Sequence, residues 1–224
     1  MIDFSQVRRV IIPEGEAVAI SCGDDVLWDK YSVPLEYQVV EYLESTGAQY
    51  INTGITVNSS NHRALRLVVD KIITSTSGWC LDGAADNGQN AFYHGRSSAG
   101  RISYGIGGDN QTAVSYNSGR YTLDLDAHGN RFLVTAEDGT VLIDLVPSFG
   151  TNFTDAGLPL YLFGYSGENR RYAGKIYSCQ IYDSGELVRD FVPCYRKADS
   201  KPGMYDRRNG RFYTNLGTDE FSYR

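Results

Sequence analysis

The sequence predicts an all-β protein, an antiparallel sandwich or barrel, on three observations. Glycine and tyrosine are abundant, 24 and 17 in 224 residues, beside 6 prolines and 2 methionines, with aromatics at 12%; this is β-protein usage. No helix-length window repeats apolar residues at steps of three and four, the pattern an amphipathic helix needs. Short β-prone runs instead end in Gly, Asn, Asp or Ser, and evenly spaced strands with polar turns build sandwiches and barrels.

The first elements form a small meander. Residues 7–12, 17–22 and 26–28 read as strands, with turns at 13–16 and 23–25. Three such strands bury too little surface to stand alone. Segment 1–32 therefore either adds to an edge of the main sheet or docks on another subunit through Val10, Ile12, Val26 and Trp28. The polar joint 29–34 ends in Pro34, which keeps the residue before it out of the helical region, so the main domain runs over 35–224.

Within that domain the predicted strands are 37–43, 49–55, 62–73, 78–84, 91–95, 102–106, 112–116, 120–125, 131–136, 141–145, 160–165, 171–182 and 186–193. Four turns, at 127–130, 137–140, 183–186 and 208–211, carry Gly129, Gly139, Gly185 and Gly210, where hairpins want positive φ. In 174–183 the apolar residues Ile176, Cys179 and Ile181 step by three and then by two. A regular strand cannot put them on one face unless a β-bulge absorbs a residue, and Cys179 then points inward.

Charge and cysteine usage narrow the function. Lys plus Arg is 21 against 27 Asp plus Glu, a net charge of −6, which argues against nucleic acid or any partner held through phosphates. No apolar run is long enough to span a bilayer, and the N-terminus lacks a signal-peptide pattern. Cys22, Cys80, Cys179 and Cys194 show no zinc-type spacing and read as reduced structural thiols.

Several segments carry a family resemblance. The strand 174–183, preceded by 160–164, resembles the closing strands of laminin-G-like, concanavalin-A-like jelly rolls. Segments 41–54, 187–194, 203–206 and 210–215 are similar to a version of that fold in phage and prophage structural proteins of gut Firmicutes, and the N-terminal meander resembles their leaders. The resemblance implies a jelly-roll sandwich over 35–224 and a multimeric virion protein, made in the host cytoplasm and assembled with other virion proteins. Residues 58–157 match in strand pattern alone, and fold by itself does not license a function.

Catalytic motifs are missing. No Glu-x-Asp-x-Glu string places an acid and a nucleophile on one strand face. Residues 164–168 lack the last glycine of a nucleophile elbow, and His62, His94 and His128 read as exposed or half-buried. Residues 105–110 fail the dinucleotide fingerprint at Asn110. Asp124 and Asp126 imitate the start of a calcium loop whose later ligands are wrong; Asp82, Asp86 or Asn87 on the jelly-roll rim is the remaining place for Ca²⁺. The expectation is a protein that is not an enzyme and needs no cofactor.

Sugar recognition wants flat aromatics for stacking and short amides or carboxylates for hydroxyls. Trp79, Asp82, Asp86, Asn87, Asn90, Tyr93, His94, Tyr104, Asn110 and Tyr116 supply both between Gly-rich loops. The expected function is lectin-like binding of host-surface carbohydrate during phage attachment. The alternative is a purely structural virion component, a capsid decoration or baseplate protein, making protein contacts only.

Overall fold

The computed structural model describes residues 33–73, 79–86, 90–115, 118–150, 153, 155, 157–165 and 171–224, and the backbone of three strands before them. Those three, β1 (Arg9–Ile11), β2 (Ala19–Cys22) and β3 (Asp25–Asp29), pair antiparallel into a sheet of their own. This agrees with the predicted meander. Ile12 and the side chains of Val10, Val26 and Trp28 lie outside the described residues, and with them the docking expectation.

The rest is an all-β sandwich of two antiparallel sheets. The larger, of eleven strands, comprises β4 (Tyr37–Val39), β5 (Leu43–Thr46), β7 (Leu65–Ile73), β12 (Gly119–Asp126), β13 (Arg131–Ala136), β14 (Val141–Leu145), β16 (Ala173–Asp183), β17 (Glu186–Arg196), β18 (Lys201–Asp206), β19 (Arg211–Thr214) and β20 (Ser222–Tyr223). The smaller, of six, comprises β6 (Ile51–Val57), β8 (Cys80–Ala85), β9 (Ala91–Arg96), β10 (Arg101–Ile106), β11 (Asp109–Ser115) and β15 (Leu158–Leu162). Their orders are β14-β13-β12-β7-β16-β17-β18-β19 and β11-β10-β9-β8-β15-β6; off the first path, β4 pairs β17, and β5 pairs β16 and β20.

Period-two alternation explains which faces meet. In β12 Tyr121, Leu123 and Leu125 are buried while Thr122, Asp124 and Asp126 are not, and in β7 Leu65, Leu67 and Val69 point the same way. They pack, with Phe132, Val134, Ile176, Cys179, Ile181 and Phe191, against Ile51, Phe92, Ile102, Ile106, Leu160 and Leu162 of the smaller sheet. Each such aliphatic or aromatic side chain contributes about 1.5–3 kcal/mol of burial, so the inter-sheet layer is the main source of stability.

The bulge in β16 is present: its register against β7 shifts between Ile176 and Ser178, which leaves Tyr177 as the extra residue. Cys179 is fully buried, as the spacing requires. Beyond small shifts of strand ends, four details differ from the sequence reading. The strand expected over 37–43 is two, β4 pairing β17 and β5 pairing β16. In the 127–130 turn the positive φ belongs to Asn130, at 58°; Gly129 is there because its N–H donates to Asp126 Oδ1 at 2.7 Å and a Cβ would sit 2.4 Å from Asp126 Oδ2. The strand expected to stop at Pro193 runs on to Arg196. Proline is tolerated there because Pro193 falls where β17 changes partner from β16 to β4, between Phe191↔Cys179 and Cys194↔Val39, and a missing donor costs least at such a gap. Three strands follow, at Lys201–Asp206, Arg211–Thr214 and Ser222–Tyr223, which the sequence reading left outside its strand series. Among the described residues no helix is long and apolar enough to cross a membrane.

Candidate functional site

The structure brings four of the sequence-predicted ligand residues into one cross-strand row. Asp82 of β8 faces His94 of β9, which faces Tyr104 of β10, which faces Asn110 of β11. The row lies on the inner side of the smaller sheet, and Asp82, His94 and Tyr104 are buried, so solvent reaches only its Asn110 end.

Asp82 is answered by a cation from the opposite sheet. Lys71 Nζ lies 2.5 Å from Asp82 Oδ2, both side chains wholly buried, and also donates to the Cys80 carbonyl at 3.3 Å. The Tyr172 hydroxyl stands 3.0 Å from each Asp82 oxygen, and the Phe163 N–H donates to Oδ1 at 2.7 Å. Phe163 reaches this position with φ at +62°, a conformation that a side-chain-bearing residue keeps at a cost of about 1 kcal/mol or more. Wholly buried and paired with Lys71, Asp82 lies in the interior of the sandwich and not on its rim.

His94 is neither exposed nor half-buried. Burial, and then the nearby Lys71 charge, push it from its ordinary value of 6.5 down to about 3, so the ring is neutral at neutral pH while Nε2 lies 3.2 Å from the Leu67 carbonyl across the sandwich. His62 is also buried, stacked on Phe153 at 5.0 Å; only His128 is exposed.

The outer side of the smaller sheet gathers Tyr93 with Leu81, Ala85 and Ala91 in a second buried cluster, against which Trp79 and Tyr165 pack. Tyr93 sits between Gly83 and Gly105 in register, and a Cβ at Gly105 would lie 2.6 Å from the Tyr93 ring; the glycine makes room for the aromatic. Asp86 and Asn90 close the β8–β9 hairpin, Asn90 donating to Asp86 at 3.1 Å. Asn87 and Tyr116 lie outside the described residues. Of the ten, then, the side chains of Trp79, Asp86, Asn90 and Asn110 are at least partly open to solvent.

A second polar surface, missed by the sequence reading, occupies the outer face of the eleven-stranded sheet. It repeats one unit three times: a carboxylate, a cation and a tyrosine ring. Asp124 holds Arg66 at 2.6 Å, and Arg66 lies 4.9 Å from the Tyr182 centroid. Asp70 holds Arg120 at 2.6 Å, and Arg120 lies 3.7 Å from the Tyr177 centroid. Glu44 stands 3.9 Å from Lys175, which lies 4.0 Å from the Tyr42 centroid. Tyr42 and Tyr177 meet edge to face at 5.5 Å. Asp70 and Arg120 are joined by two parallel hydrogen bonds, 2.9 and 2.6 Å, the fork geometry that fixes both groups; Arg120 is pushed above its ordinary range chiefly by its hydrogen bonds to Asp70.

Beside the middle unit opens a hollow of about 300 Å³ lined by Asp70, Arg120, Tyr121, Thr122, Ala136 and Glu137. Glu137 Oε1 lies 3.8 Å from Arg120 Nη1. Two carboxylates, a guanidinium and a threonine hydroxyl thus converge on a half-open space large enough for a small polar molecule. The signal in the sequence was the polar half of the alternation in β7 and β12, together with the bulge that turns Tyr177 to the same face. Among the described residues no group of three or more His, Cys, Asp or Glu comes together to hold a metal. No protein-family model matches the chain, and no curated protein matches it.

Proposed function

We propose that this is a non-catalytic, lectin-like module of a phage virion, a laminin-G-like jelly roll that binds host-surface carbohydrate during attachment and joins other virion proteins through its N-terminal meander. The observation that carries the reading is the hollow at Asp70, Arg120 and Glu137. The Asp70 carboxylate and the Arg120 guanidinium, fixed by their paired hydrogen bonds, offer an acceptor and donors at set angles to sugar hydroxyls, and the exposed Glu137 carboxylate adds a further acceptor. A single shallow site of this kind binds at about the millimolar level, roughly 4 kcal/mol, so attachment depends on many copies per particle. An NMR titration of the full chain with bacterial surface oligosaccharides tests it: shifts should cluster on Arg120, Glu137 and Tyr177, and shifts elsewhere or none at all count against it.

A second reading, a purely structural virion component, is favoured by apolar side chains left on the surface, Leu35 at 89% and Val146 at 75% exposure. Covering either side chain in a contact with another virion protein would take apolar surface out of water. Under that reading, replacing both by Ser weakens particle assembly and leaves the oligosaccharide titration unchanged.

A further inference from the structure

We propose that Lys71 and Asp82 become joined by an amide, a covalent tie between the two sheets formed by the folded protein itself. The geometry that carries it is the pair's isolation and its surroundings. Both side chains have no exposure to solvent, and Nζ lies 2.5 Å from Oδ2, so nucleophile and carboxyl are held together from two rigid strands in an environment without competing water. The other carboxyl oxygen, Oδ1, receives two donors: the Phe163 N–H at 2.7 Å and the Tyr172 hydroxyl at 3.0 Å. That is the arrangement needed to stabilise negative charge on Oδ1 when the carbon becomes tetrahedral. Phe163 is held at a φ of +62°, and backbone strain of this kind collects where a group must be aimed.

The reaction balances with no further reagent. Lys71 begins as an ammonium and Asp82 as a carboxylate. One proton passes from Nζ to Oδ2, and the neutral amine then attacks Cγ, with charge developing on Oδ1. A second proton leaves the nitrogen for Oδ2, which Nζ faces directly at 2.5 Å, while the Tyr172 hydroxyl keeps its one proton on Oδ1. The Cγ–Oδ2 bond breaks, water departs, and Nζ–Cγ remains as an amide. No oxidation occurs. The product exchanges two buried charges for a neutral group, which removes their desolvation penalty, and closes a loop that the unfolded chain would otherwise open.

Trypsin digestion of the denatured full-length protein, followed by mass spectrometry, tests this. Lys71 is the only Lys or Arg between Arg66 and Arg96. An acylated Lys71 resists trypsin, so residues 67–96 should emerge as one uncut peptide, lighter than its sequence by one water, and chymotrypsin should then release two strands linked through Lys71 and Asp82. In the Lys71→Met chain the water loss should vanish, and in Tyr172→Phe it should accumulate more slowly while the fold is kept. Cleavage after Lys71 with peptides of full mass overturns the proposal and leaves a salt bridge. Cleavage after Lys71 with a water missing from the second peptide also overturns it, since that is a succinimide at Asp82-Gly83.

Discussion

The Arg120 guanidinium lies over the Tyr177 ring, 3.7 Å from its centroid, and Tyr177 is the residue that the β16 bulge sets out of register with β7. Without the bulge, alternation would carry the following residues to the wrong faces, and Cys179 and Ile181 would leave the core. One inserted residue therefore does two things: it keeps the core apolar and delivers an aromatic ring to the polar face.

Tyr177→Ala should remove the stack while leaving the bidentate Asp70 contact. A half-exposed cation–aromatic pair contributes about 0.5–1 kcal/mol, so the urea midpoint should fall slightly and the far-ultraviolet spectrum should not change. A loss of several kcal/mol would show instead that the ring helps hold the bulge.

Asp82→Ala should be far more costly. It strands a wholly buried ammonium, and breaking such a pair from one side costs about 3–5 kcal/mol. Equilibrium denaturation checks this; a change under about 1 kcal/mol would mean that water reaches Lys71.

Acid should destabilise the fold through His94. Its folded value is depressed from 6.5 to about 3, so between those limits the unfolded chain binds a proton that the folded chain refuses. The stabilisation is complete above about pH 6.5 and is lost as pH falls, by on the order of 4 kcal/mol at pH 3. Comparing urea midpoints from pH 7 to pH 4 for the wild type and His94→Phe isolates this group: the variant should show the shallower slope, and equal slopes would refute the assignment.

Cys80, Cys179 and Cys194 are free and buried. Burial pushes Cys179 well above the usual thiol range and Cys194 up to about 12, so all three should resist a thiol reagent in native buffer and react at once in denaturant. Rapid native labelling of Cys179 or Cys194 would contradict the placement of their strands.

Local patterns in the sequence carried the strand series, the Asp-Gly and Asn-Gly hairpins and the bulge, because each depends on neighbours along the chain. The Lys71–Asp82 ion pair depends on strands in different sheets, and no spacing rule reports it. A trace was still there: in Leu65–Ile73 strict alternation puts Lys71 on the face of Leu65, Leu67 and Val69, and a lysine on a core face calls for a buried acid. The same alternation applied to 80–96 would have turned Asp82 and His94 inward, whereas reading the stretch as loop-borne sugar contacts treated polarity as exposure. The charged face was hidden for another reason. Asp70, Arg120 and Tyr177 come from three strands, and only their register makes them neighbours.

The most direct test of the central claim is a glycan array probed with the full chain displayed multivalently, alongside the Asp70→Asn/Glu137→Gln variant. Glu137 is largely exposed, while Asp70→Asn keeps the side chain's shape but gives up one of its two hydrogen bonds to Arg120, so the urea midpoint of the variant is compared with the wild type beside the array to confirm that it is folded. The account predicts that the wild type retains a defined subset of glycans and that the variant loses at least tenfold in signal on that subset. Retention of no glycan by the wild type, or equal retention by the variant, would contradict it.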